Sequence, residues 1–132
     1  MVTAAENGRL TDIPQLEEIR NVVFDLGGDS APRPDGYPGH FYQRFWHIIG
    51  EDVVKSTQYF FMHNYIMPNL NSNLLILIPK VLGANKLDNF RPIALANFQF
   101  KIITKILADK LGLIAARIIF VHQKGFILGR HV

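Results

Sequence analysis

The 132 residues contain no cysteine, so disulfides and thiolate metal sites are excluded, in keeping with a reducing compartment. No apolar run is long. The longest, Leu74 to Ile78, falls far short of the roughly 20 residues needed to cross a bilayer. The start, Met1-Val2-Thr3-Ala4-Ala5-Glu6, lacks the charged-then-apolar pattern of a secretory signal. Acidic residues are scarce where they would matter most: after residue 70 only Asp88 and Asp109 remain, and no Asp-Asp pair occurs anywhere. Metal-dependent phosphoryl transfer needs carboxylates that hold two cations about 3.5–4 Å apart, and nothing here supplies them. The adjacent Glu51-Asp52 suits compensation of a helix dipole instead. There is no Ser/His/Asp spacing and no phosphate loop ending in Gly-Lys-Ser/Thr. His40, His47, His63, His122 and His131 are scattered, without metal-ligand spacing. The chain reads as one that does not itself carry a catalytic centre.

What is present is a large apolar fraction and a divided charge. Hydrophobic residues make up 48% and phenylalanine alone numbers 10, enough for the core of one domain or part of one. Residues 1–70 hold five basic against nine acidic side chains, a net of −4, whereas residues 71–132 hold nine basic against two, a net of +7. Such a split suits a polyanion beside the C-terminal half, or simply a solvated surface.

The pattern along the chain predicts an α+β fold, mostly helical. Residues 1–12 read as a loose, flexible leader ahead of a domain over 13–132. Leu16, Ile19, Val22, Val23 and Leu26 recur at helical spacing, with Asp12 and Pro14 at the start and Gly27-Gly28 at the end. The Pro-rich stretch from Asp29 to Gly36 is a loop. Pro38 opens a second helix whose buried face would be Phe41, Phe45, Ile48 and Ile49, with Gly50 a break. A third runs from Glu51 to Asn64, offering Val53, Val54, Phe60 and Phe61 to the core. After the connector at 68–73, residues 74–78 read as a buried strand pairing antiparallel with 93–96 across the loop at 83–89. A long helix over about 98–120 carries the stripe Ile102, Ile103, Ile106, Leu107, Leu111, Ile114 and Ile118, with Lys101, Lys105 and Asp109 on its other face.

Three places could carry chemistry. Lys80 and Arg91 flank the hairpin loop, which also bears Lys86. A point charge and a planar fork at that spacing suit phosphate oxygens, though both could equally be ordinary solvated cations. Asp35 could be read as catalytic, but before Gly36 it fits a turn in which its side chain bonds its own backbone. The run Gln123-Lys124-Gly125-Phe126, continuing to Gly129 and Arg130, suits backbone approach and aromatic packing against nucleic acid, and Phe126 fits a core anchor as well.

Taken together, four blocks in order resemble the fingers-side part of the reverse transcriptases of non-LTR (LINE-type) retrotransposons, of the kind common in plant genomes. The stretch Asp29 to Gly36, with Pro32, Pro34 and Asp35, resembles the family's Ala-Pro-Gly-Pro-Asp-Gly loop. Leu77-Ile78-Pro79-Lys80 resembles its Ile-Pro-Lys strand. Phe90-Arg91-Pro92-Ile93 resembles its Phe-Arg-Pro-Ile block. Gln123, Gly125, Phe126, Gly129 and Arg130 match its Gln-x-Gly-Phe-x-x-Gly-Arg signature. The blocks cover about residues 13–132.

The resemblance implies an RNA-directed DNA polymerase in which Lys80 and Arg91 lie near the triphosphate of the incoming deoxynucleotide. Lys86, Lys101, Lys105, Lys124 and Arg130 would face the RNA template and the RNA–DNA hybrid. It implies that the catalytic carboxylates and their Mg2+ belong to a palm beyond Val132, so that this chain binds no cofactor itself, needs the palm and thumb as partners, and does not polymerise alone. It also implies an intracellular setting, nuclear or cytoplasmic, away from membranes. The other expectations are a non-catalytic basic nucleic-acid-binding module and a retroelement relic without function. Two positions depart from the family pattern. Lys110 stands where many relatives have arginine. Arg33 replaces a loop glycine, which costs on the order of 1 kcal/mol if that position needs positive φ.

Overall fold

The computed structural model describes residues 2–28 and 33–120. Within them are five helices and one two-stranded antiparallel sheet: α1 (Ala4–Thr11), α2 (Leu16–Asp25), α3 (Gly39–Arg44), α4 (Trp46–His63), β1 (Asn73–Pro79), a 3-10 turn (Leu87–Asn89), β2 (Phe90–Ala96) and α5 (Phe98–Ile118). The fold is α+β, as the periodicity predicts.

The core lies where α2, α4 and α5 converge. Ile19 and Val23 of α2 and Phe98, Ile102 and Ile106 of α5 are wholly buried, with Val53 and Val54 of α4 beside them. Each such side chain contributes about 1.5–3 kcal/mol by leaving water. The stripe on α5 is narrower than its sequence: Ile114 is buried, but Leu111 and Ile118 are exposed. Gln43 of α3 donates to the carbonyls of Val23 at 3.0 Å and Leu26 at 2.9 Å, satisfying acceptors that the end of α2 leaves open. Gln58 of α4 donates to Pro14 at 3.0 Å.

Several expectations need correction. The stretch read as a loose leader holds α1, started by a capping box in which Thr3 and Glu6 bond reciprocally. This helix docks on α5, where Arg117 reaches the Glu6 carboxylate. Gly50 is not a break. It lies inside α4, and an added Cβ would meet the Trp46 indole one turn back at 2.9 Å. Glu51 is therefore not in a first turn, and it pairs with Lys55 at 2.6 Å. On α3 the buried residues are Gly39 and Tyr42 rather than Phe45, which is exposed along with Ile48.

The hairpin pairs where expected, but over longer strands. Its register runs from Asn73 opposite Ala96 to Pro79 opposite Phe90. It is not buried. Every residue of β1 is exposed, Leu75 at 65%, and the sheet makes only slight contact with the helices among the described residues. A continuous apolar run reads as a strand covered on both faces, but the described helices pack on one another and cover little of either.

A Cβ at Gly39 would stand 2.7 Å from the Phe98 ring and 2.9 Å from the Gly27 carbonyl. Gly39→Ala is therefore expected to destabilise the fold by about 1–3 kcal/mol in urea unfolding, a cost of overpacking. The Glu6 carboxyl is held down at about 2 by the Thr3 N–H, then by Arg117 and the Thr3 hydroxyl. Because its folded value lies below the ordinary 4.5, the stabilisation is complete above that value and is lost as pH falls toward 2. Loss of α1 helicity over that window, followed by NMR shifts, should vanish in Glu6→Gln.

Candidate functional site

The hairpin sets the geometry of the cation pair. Its register continues past the sheet at both ends, with the Lys80 N–H donating to Asn89 O at 2.7 Å and the Asn97 N–H to Ser72 O at 3.4 Å. Lys80 thus lies opposite Asn89, two residues from Arg91, which lies opposite Ile78. Diagonal neighbours in an antiparallel pair share a face about 7–8 Å apart. The same face carries Leu74, Ile76, Ile78, Ile93 and Leu95. The two cations are therefore the polar end of an otherwise apolar face.

Lys80 turns its ammonium back onto the loop and donates to the Asp88 carbonyl at 2.8 Å. Lys86 and Arg91 are exposed, and no carboxylate lies within ion-pair distance of either among the described residues. Pro92, opposite Leu77, lies on the other face, which is apolar apart from Asn73. The remaining candidate cations are elsewhere. Lys105 is engaged by Asp109 one turn on. Lys101 is half-buried near the start of α5, where burial and then Arg33 lower its ammonium below the ordinary lysine value. Pro32, Gln123, Lys124, Gly125, Phe126, Gly129 and Arg130 lie outside the described residues.

The described end of the Pro-rich loop is a turn. The Gly36 N–H donates to Arg33 O at 3.0 Å, and Gly36 holds φ +74, a conformation glycine adopts without steric cost. Pro34 and Asp35 sit within this turn. The Asp35 carboxylate accepts from the Tyr37 N–H at 3.1 Å, so it acts on its own backbone. Arg33 is buried at the start of this turn. It is 7% exposed, its Nη1 donates to Ala96 O at 2.9 Å, and its guanidinium lies 5.2 Å above the Phe98 ring. Burial lowers its pKa from the ordinary arginine value, with Asp35 acting against that.

The residues that sequence reasoning missed are the ones at the hairpin's root. Asn97 occupies the N-cap position of α5 without a side-chain cap bond; instead its side chain accepts from the Asp35 N–H at 3.3 Å and donates to Asn69 O at 3.0 Å. An Asn just before a helix was a visible cap signal; its two long-range bonds were not visible. Among the described residues no group of three or more His, Asp or Glu could hold a metal ion.

Along its whole length the chain is 24% identical to the transposon TX1 uncharacterized 149 kDa protein of Xenopus laevis. The chain is similar to a transposon protein. It spans 10% of that protein's length. No family model matches it, and no described helix is long and apolar enough to cross a membrane.

The Lys80 contact generates a prediction about the loop. An exposed hydrogen bond contributes about 0.5–1.5 kcal/mol. Lys80→Met should therefore leave the strand register intact while amide exchange at 86–89 accelerates about two- to tenfold.

Proposed function

We propose that this chain is the fingers-side part of the reverse transcriptase of a non-LTR retroelement. In this reading the hairpin contacts the triphosphate of the incoming deoxynucleotide, and its basic end lies beside the RNA template and the RNA–DNA hybrid. One observation carries the proposal: the register sets Lys80 and Arg91 as diagonal neighbours on one face at the far end of the hairpin. A triphosphate presents several anionic oxygens within that reach, and the ammonium and guanidinium supply a point charge and a bidentate fork. The end-to-end similarity to a transposon protein and the ordered motif blocks support the same reading.

The chain's part is to bind and orient. A triphosphate held between Lys80 and Arg91 would draw the Lys80 ammonium off the Asp88 carbonyl, exchanging a neutral acceptor for a charged one. Mg2+ and the carboxylates that hold it would come from a palm in further polypeptide, with the thumb as another partner. That machinery works inside the cell, in the nucleus or cytoplasm.

Saturation-transfer NMR of the 132-residue protein with a deoxynucleoside triphosphate tests the site. Binding that weakens at least about tenfold in the Lys80→Ala, Arg91→Ala double variant is expected, since two charge-assisted contacts are lost. RNA binding followed through a salt titration should lose about one to two from its log–log slope in the same variant. Triphosphate binding that ignores both substitutions overturns the assignment. Salt-dependent RNA binding without triphosphate binding marks a basic nucleic-acid module instead.

A further inference from the structure

The hairpin is an arm with a narrow attachment. Its strands make only slight contact with the described helices, so its angle to the helical body is set where it joins that body. There, three segments distant in sequence are tied together. Arg33 from the Pro-rich turn donates to the carbonyl of Ala96, the last residue of β2. Asn97, the next residue, receives the Asp35 N–H from the same turn and donates to Asn69 in the connector that leads into β1. The guanidinium lies over Phe98, which is wholly buried and stacked on Tyr42 at 4.7 Å.

We infer that Arg33 and Asn97 form a clamp that fixes the angle of the hairpin to the helical body, making Arg33 a positioning residue for the Lys80–Arg91 pair. The role assigned to that pair rests on the proposed function; the clamp itself does not. Leverage makes the clamp matter. Seven strand residues at about 3.3 Å each give an arm of about 23 Å, so a tilt of about 10° at the root moves the far end by about 4 Å. That displacement is enough to separate a cation from the phosphate oxygen it would bond. Arginine suits the place because it remains charged when buried and offers both a donor fork and a flat face to an aromatic ring.

The absence of cysteine makes the test direct. Spin labels at Val81→Cys, beyond the end of β1, and Met62→Cys, on α4, report the distance between arm and body; both native residues are exposed. Double electron–electron resonance should give a narrow distribution in the parent. Arg33→Met, which keeps apolar length but loses the donor, and Asn97→Ala should each shift or broaden it by about 4 Å, the displacement of a tilt of about 10°. Arg33→Lys, which keeps a donor and a cation but loses the planar fork, should broaden it less than Arg33→Met.

The clamp is refuted if Arg33→Met and Asn97→Ala keep the parental distribution with helicity intact, or if Arg33→Lys broadens as much as Arg33→Met. Should Arg33→Met lose its helical signal, Asn97→Ala and Arg33→Lys decide between the same outcomes. No nucleotide enters the measurement. A protein that fails to bind triphosphate but holds a narrow distribution defeats the proposed function and leaves the clamp standing.

Discussion

Phe98 is the contact on which the rest of the structure depends. It is the first residue of α5 and follows β2 by two positions, so the chain passes from an exposed hairpin to the centre of the core almost at once. Its ring is wholly buried, stacks on Tyr42 of α3, and lies under the Arg33 guanidinium. Gly39 is open on the side facing it, because a methyl there would collide with the ring. One side chain thus fixes the start of the longest helix, the seat of α3 and the end of the Pro-rich turn.

This arrangement explains how an isolated two-stranded hairpin can persist. Such a hairpin is marginal in water on its own strands, and here both of its faces are mostly apolar and mostly exposed. What holds it is its root, where backbone, Asn97 and Arg33 supply bonds beyond the ladder. The stability of the arm is therefore borrowed from the core through Phe98. The apolar faces make no comparable contribution, and surfaces of this kind invite either docking or aggregation.

The parts of this fold that were legible in the sequence are those in which one periodic signal acts alone. Ile19, Val22 and Val23, and then Ile102, Ile103 and Ile106, mark their helices and are buried as their spacing predicts. The hairpin was placed, though its strands are longer than the apolar runs, because Arg91 and Pro92 pair within the ladder despite their chemistry. The failures have physical causes. Gly50 reads as a break, yet a helix accepts glycine where an indole must lie close. The first helix has no apolar stripe, but its Thr3-x-x-Glu6 box was visible in the sequence and outweighs the Gly8 that follows. Burial of the strand was expected because a local run cannot show whether any partner exists to cover it. Arg33 stood out only as a departure from a loop pattern, with no sign of its role: its partners include a carbonyl 63 residues away and a ring, and neither leaves a trace in local pattern.

The divided charge is the feature most changed by the structure. A net of +7 over residues 71–132 suggests a broad basic face. Along α5, however, the cations are largely occupied in fastening the fold. Lys105 meets Asp109, Lys110 lies 5.2 Å from the Phe61 ring and donates to Asp12 O, Arg117 holds Glu6, and Lys101 is half-buried beside Arg33. At the hairpin, Lys80, Lys86 and Arg91 share the segment 73–96 with a single acidic residue, Asp88. Screening limits such charges to a range of about 8 Å at physiological salt, so a polyanion must come up to the arm itself to feel them. The described basic surface is thus concentrated at the distal end of an apolar lever. In the proposed reading, an anion that meets these described cations is met at a position governed by the angle at the root of the hairpin, more than by the charge of the half-chain.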